Sequence, residues 1–120
     1  MDKITFDDFA KIDIRIGTVV RAEVPEWSHW VMKLTVDFGQ EIGERTIFAG
    51  IMKFYKPEEL EGKQFPFVVN IAPKKIGPEG DLSDGMILAA DFVEEGTDPE
   101  EGKPVLFNLQ EKVSNGTKVR

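Results

Sequence analysis

Five short runs of alternating apolar and polar residues, one helical segment between the third and the fourth, and a turn-rich end together predict an all-β chain. That order of elements is the order of an OB-fold, a five-stranded Greek-key barrel, here with short helices and a C-terminal extension. The 120 residues sit in the size range of one domain, and neither an internal repeat nor a linker divides them. We therefore expect a single domain over 1–120, with a core at 4–92 and an extension at 93–120.

The chain opens with "TFDDFAK", a helical turn that Thr5 or Asp7 caps and whose Phe6 and Phe9 are expected to face inward. In "IDIRIGTVV", Ile12, Ile14 and Ile16 share one face and Asp13 and Arg15 the other, the period of a half-buried strand, and Gly17 is expected to mark a bulge or bend. The run "MKLTVDF" sets Met32, Leu34, Val36 and Phe38 against Lys33, Thr35 and Asp37. In "RTIFAGI" the buried set is Ile47, Ala49 and Ile51; in "FPFVVNIAP" it is Phe65, Phe67, Val69 and Ile71, with Asn70 outward. Between these two lies "YKPEELEGK", where Pro57 suits the first helical position, Glu58 and Glu59 suit a helix N-terminus, and Gly62 ends the turn. The fifth run is "GMILAADFV". After it, "VEEGTDPEEGKP" is acidic and turn-rich, and "VLFNLQEKVSNGTKVR" returns to strand-like runs around a turn at "SNG". This tail needs a surface to pack on, either its own barrel or a second copy.

Composition excludes several function classes. Without cysteine there is no disulfide, thiolate nucleophile or thiolate metal site, and nothing demands an oxidising compartment. The single histidine, His29, offers neither a catalytic triad nor a transition-metal centre, and no glycine loop for phosphates is present, so we expect no enzyme and no cofactor. Uninterrupted apolar runs of membrane-spanning length are missing, so we expect no membrane partner and a cytoplasmic location. Fifteen basic residues against 22 acidic ones give a net charge of −7, so any anion site must be local. The candidates are the adjacent Lys74 and Lys75 of "APKKIGPEG" and the neighbouring Lys53 and Lys56.

The runs "FDDFAKIDIRIGTVV", "KLTVDFG", "IFAGIMKFYKPEELEGK", "VVNIAPKKIG" and "SDGMILAA", taken in order over about residues 4 to 92, resemble the stand-alone tRNA-binding domain family. Members of that family are OB-fold modules also appended to bacterial methionyl-tRNA synthetases. "DFGQEIG" and "SNGTKVR" further resemble the CsaA-type branch, dimeric homologues associated with protein export as well as with tRNA. The resemblance implies a homodimer, with the C-terminal extension used in dimerisation, that recognises tRNA largely by shape, as an accessory to an aminoacyl-tRNA synthetase. The alternative it implies is an export chaperone holding extended, unfolded peptides.

Carried over residue by residue, the family's surface motif falls on Lys33, Asn70, Lys74, Ser83, Gly85 and Met86, with Asp13 and Arg15 in the first-strand signature. Lys74, Lys75, Lys53 and Lys33 would meet phosphates. Asn70 has two open roles, a contact to a base edge or ribose hydroxyl and a side-chain bond pinning a neighbouring loop. Ser83 supplies a hydroxyl, Gly85 lets a ligand approach the main chain, and the Met86 thioether can lie on a base, although simple alternation would bury it with Leu88. Trp27 and Trp30 are candidates for base stacking, peptide docking or burial against a partner subunit.

Overall fold

The computed structural model describes residues 1–120. Its main sheet contains β1 (Ile14–Glu23), β2 (Met32–Asp37), β3 (Glu44–Ala49), β4 (Gln64–Val68) and, after two further strands, β7 (Met86–Ile87). The strand order is β3-β2-β1-β4-β7 with every pairing antiparallel. The sheet curls until its ends meet: the Asp84 amide donates to the Thr46 carbonyl (2.9 Å), and the Phe48 amide donates to Ser83 Oγ (2.9 Å). A nearly closed five-stranded barrel results, the OB-type arrangement predicted above.

Two short helices attach to it. In α1 (Phe6–Ala10), Thr5 is the cap: its Oγ1 accepts from the Asp8 amide while Asp8 accepts from the Thr5 amide, a reciprocal capping box. Phe6 and Phe9 do not face inward; Phe6 is 79% exposed and Phe9 37%, because one five-residue turn lies off the barrel instead of across it. The second helix, α2 (Pro57–Leu60), starts on proline as expected and buries only Leu60.

The core is built by β2, whose Met32, Leu34 and Val36 are fully buried with Phe38 just beyond the strand, packed against Ile47, Phe65 and Phe67. Phe38 and Phe67 meet edge to face at 5.3 Å. The first strand departs from its expected phase. A Cβ on Gly17 would lie 2.5 Å from Val36 Cγ1, so Gly17 faces the barrel interior, and Ile14 and Ile16 lie on the opposite face, where Ile16 is nonetheless buried at 6% exposure and bonded to the returning tail. The irregularity expected at Gly17 falls between Val19 and Arg21. Ile12 is exposed, and so is Ile71, since β4 ends at Val68.

The end of the chain folds back on its own barrel. Residues 116–119 pair with the part of β1 beyond the reach of β2, through Gly116 N to Ile16 O (2.7 Å), Ile16 N to Thr117 O (2.9 Å) and Val119 N to Ile14 O (2.8 Å). The "DFG" and "SNG" segments interlock there. A Cβ on Gly39 would meet the Asn115 carbonyl at 2.6 Å, and one on Gly116 would meet the Phe38 carbonyl at 2.5 Å. Asn115 Oδ1 accepts from Thr18 Oγ1 (2.7 Å) and from Gln64 Nε2 (3.0 Å). Arg15, held by Asp13 at 2.7 Å, reaches the Gly116 carbonyl at 3.1 Å. The fifth predicted run divides at Leu88, so that β8 (Ala89–Phe92) leaves the barrel to pair with β9 (Lys103–Leu106). Tyr55 fastens that ribbon by donating to the Pro104 carbonyl (3.1 Å) and accepting from the Leu106 amide (3.2 Å).

Candidate nucleic-acid interface

The remaining strands make the site. "KKI" and "DLS" form a hairpin, β5 (Lys74–Ile76) with β6 (Asp81–Ser83), in the register Lys74 to Ser83, Lys75 to Leu82 and Ile76 to Asp81. Directly opposed residues share a face and neighbours alternate, so Lys74 lies with Ser83 on one side and Lys75 with Leu82 on the other. The adjacent lysines are therefore separated by the hairpin. Neither makes an ion pair.

Between this hairpin and β3 lies a cleft of about 300 Å³. Lys74, Ser83, Gly85 and Met86 all line it, together with Trp30 and Phe48, and Lys74 is the one charged residue in the lining. Ser83 is 7% exposed and accepts the Phe48 amide, so its hydroxyl helps close the barrel as well as lining the cleft. Gly85 is required because the chain crosses close over the barrel: a Cβ there would meet Ile47 Cδ1 at 2.8 Å and the Val68 carbonyl at 3.1 Å. Met86 is 44% exposed at the rim, not buried as alternation alone suggests. The two-residue β7 begins at Met86, directly after the turn at Gly85, so the side chain meets the opening.

The other candidates lie outside the cleft lining. Lys33 stands opposite Phe48 on the outer face of the sheet and is within 3.8 Å of Glu23. Lys53 is exposed in the turn after β3. Asn70 pins a neighbouring loop, accepting from the Asp13 amide (2.8 Å) and donating to the Lys11 carbonyl (2.6 Å). Trp27 packs within the chain, 6.1 Å from Phe48 and beneath Gly77, where a Cβ would strike the indole at 2.5 Å. Trp30, in contrast, is 55% exposed. The Asp13–Arg15 pair belongs to the tail clamp. The Arg15 guanidinium is held above its ordinary pKa by its hydrogen bond to Asp13, against the opposing effect of burial and with further help from the charges of Asp13 and Glu41.

Sequence reasoning missed Arg45. Its Nε lies 3.6 Å from Asp84, the acid between the cleft residues Ser83 and Gly85, and its Nη1 donates to the Val69 carbonyl. It also missed the hairpin itself, for which "GPEG" between two triplets was the available signal.

A nearly closed barrel with a cleft beside its fourth and fifth barrel strands defines a binding module of the OB class, in which ligands lie on one barrel face and the loops next to it. A family model described as "Putative tRNA binding domain" matches residues 14–118. The chain belongs to that tRNA-binding domain family. It is 37% identical over 119 residues to methionine--tRNA ligase 1 of Bacillus anthracis and 40% identical to the Clostridium tetani methionine--tRNA ligase. These alignments cover 99% of the chain and 16% and 17% of the ligases, so the chain spans about a sixth of their length. Among solved structures it resembles a methionyl-tRNA synthetase related protein from Pyrococcus horikoshii, with a TM-score of 0.85, 40% identity and full coverage of both chains. It also resembles the chaperone CsaA of Bacillus anthracis, with a TM-score of 0.80 and 36% identity over 99% of this chain and 100% of that one.

Proposed function

We propose that the chain is a cytoplasmic, non-catalytic tRNA-binding protein that holds structured tRNA across the cleft face of its barrel and serves as an accessory to an aminoacyl-tRNA synthetase. The observation that carries this reading is convergence. Lys74, Ser83, Gly85 and Met86 come from three strands and a turn, yet line one cleft whose only charge is a cation free of ion pairs. Lys74 meets phosphate there, Lys33 and Lys53 extend the contact along the backbone, and Asn70 acts by fixing the loop at Lys11–Asp13. The test is filter binding of unfractionated tRNA at two salt concentrations. Each phosphate contact contributes about 0.7 to 0.9 to the slope of log affinity on log salt, so Lys74→Gln is expected to flatten it by that amount and Lys75→Gln by less. Affinity that is absent, or indifferent to salt, rejects the reading.

The protein acts as one domain over 1–120 and as a homodimer. Support for the dimer comes from the apolar side chains left bare on α1, on β8 and just after β9, among them Phe6, Phe9, Phe92 and Phe107. Sedimentation of the full chain is expected to give a dimer, and either Phe6→Ser with Phe107→Ser or a version ending near Val93 a monomer. A full-length monomer at micromolar concentration refutes it.

A second reading, a chaperone for extended peptides, is favoured by one observation, the mostly apolar cleft edged by an exposed tryptophan. It predicts that the protein suppresses aggregation of a denatured client and that Trp30→Ala abolishes this while tRNA binding survives.

A further inference from the structure

Trp30 stands out among the exposed apolar residues because its backbone is fixed while its ring is bare. Ser28 Oγ accepts from both the Trp30 amide (3.3 Å) and the Val31 amide (2.9 Å) and donates to the Val31 carbonyl (2.8 Å), closing a tight turn around it. The Trp30 carbonyl accepts from the Met52 amide (3.3 Å), and the ring edge rests over Gly50, where a Cβ would lie 3.8 Å from Cδ1. A rigid aromatic plane left in water removes no apolar area of its own, so it is suited to covering by a flat partner.

Opposite it the cleft offers a soft surface and few polar groups. Met86 supplies a thioether at the rim, seven of the eleven lining residues are hydrophobic, and Lys74 supplies the one charge. At the base, Ser83 Oγ accepts from Phe48 and donates to nothing within the protein, leaving its own proton available. About 300 Å³ is the lower end of ligand-pocket sizes, room for one flat ring and not for a helix.

We propose that the cleft holds a single unpaired nucleobase of the bound RNA, with the base face against Trp30 and Met86, an acceptor on its edge toward the Ser83 hydroxyl, and its phosphate at Lys74. This rests on the tRNA-binding reading above and adds to it a requirement for an unpaired nucleotide, since a base inside a duplex has no free face to offer. The cation selects the occupant: an apolar peptide side chain would leave Lys74 without a counter-charge, whereas every nucleotide brings one.

The test follows tryptophan emission of the full chain titrated with single-stranded hexauridylate, a blunt RNA duplex of equal length and unfractionated tRNA. Trp30→Phe gives the background from Trp27. The single strand is expected to quench Trp30 emission. Trp30→Ala should weaken hexauridylate and tRNA by roughly 5- to 150-fold, the range of one base–aromatic stack, and leave the duplex unchanged. Trp30→Phe keeps a ring and should retain most of the affinity, and an unchanged urea midpoint for both variants shows that the fold is intact. If tRNA binds but Trp30→Ala changes nothing, or if the duplex competes as well as the single strand, the base site is refuted and the broader reading stands. If no RNA binds, both fail. An apolar peptide that quenches Trp30 where RNA does not also overturns the proposal.

Discussion

Gly116→Ala tests the tail clamp quantitatively. Gly116 has φ of +89°, and an added Cβ would lie 2.5 Å from the Phe38 carbonyl oxygen, a backbone atom that cannot swing aside. The left-handed conformation alone costs an alanine about 1–2 kcal/mol. Relieving the clash requires the turn to lift, which loosens the bonds from Gly116 N to Ile16 O and from Arg15 Nη1 to Gly116 O, each worth about 0.5–1.5 kcal/mol net. The expected loss is therefore about 2–5 kcal/mol. Gly43→Ala is the matched control: its φ is +79° but nothing lies within 4 Å of the new atom, so it should lose only the conformational part, about 1–2 kcal/mol. Urea unfolding gives both totals. Native-state hydrogen exchange locates the damage, because the Ile16 amide donates to Thr117 and should exchange faster in Gly116→Ala while the Leu34 amide keeps pace with global unfolding. Equal losses in the two variants, or an Ile16 amide as protected as before, would show that the tail does not depend on this contact.

Gly17→Ala puts a methyl 2.5 Å from Val36 Cγ1 and 2.7 Å from Phe38 Cε1, so overpacking should cost about 1–3 kcal/mol and lower the urea midpoint. Tyr55→Phe removes the phenol that bridges Pro104 and Leu106; about 1 kcal/mol of stability and the protection of the Leu106 amide should be lost together. Arg15 has its pKa raised in the folded state, so its contribution is fully present below the unfolded value and is lost only as pH rises through the still higher folded value. Protection of the Ile16 amide should accordingly be flat between roughly pH 6 and 9, as read by exchange corrected for intrinsic rates.

The second run was the most legible part of the fold, since one face of β2 is buried and the other only partly so, the condition under which alternation reports depth. In the first run the same signal identified which residues share a face but not which face is inside. The ring of Phe38 occupies the space a side chain at position 17 would need, and the tail that pairs with Ile14 and Ile16 joins from a hundred residues away. Phe6 and Phe9 misled for a simpler reason, since a hydrophobic residue on a single turn has no second turn to direct it to the core. Of the cleft, Lys74, Ser83, Gly85 and Met86 were legible through resemblance, whereas the division of Lys74 from Lys75 depended on an unrecognised hairpin. Arg45 was invisible because its partners, Val69 and Asp84, lie 24 and 39 positions along the chain.

A lone cation in an apolar hollow, on a chain of net charge −7, gives electrostatics opposite signs at two ranges. Beyond about 8 Å at physiological ionic strength the overall field is damped, but inside that distance an approaching polyanion meets repulsion before it meets Lys74. Raising salt should thus quicken encounter modestly while shortening residence more, so both rate constants climb and the affinity still falls with salt. Stopped-flow traces at several ionic strengths would separate them, and such a module would turn over its cargo fastest where ions are most concentrated.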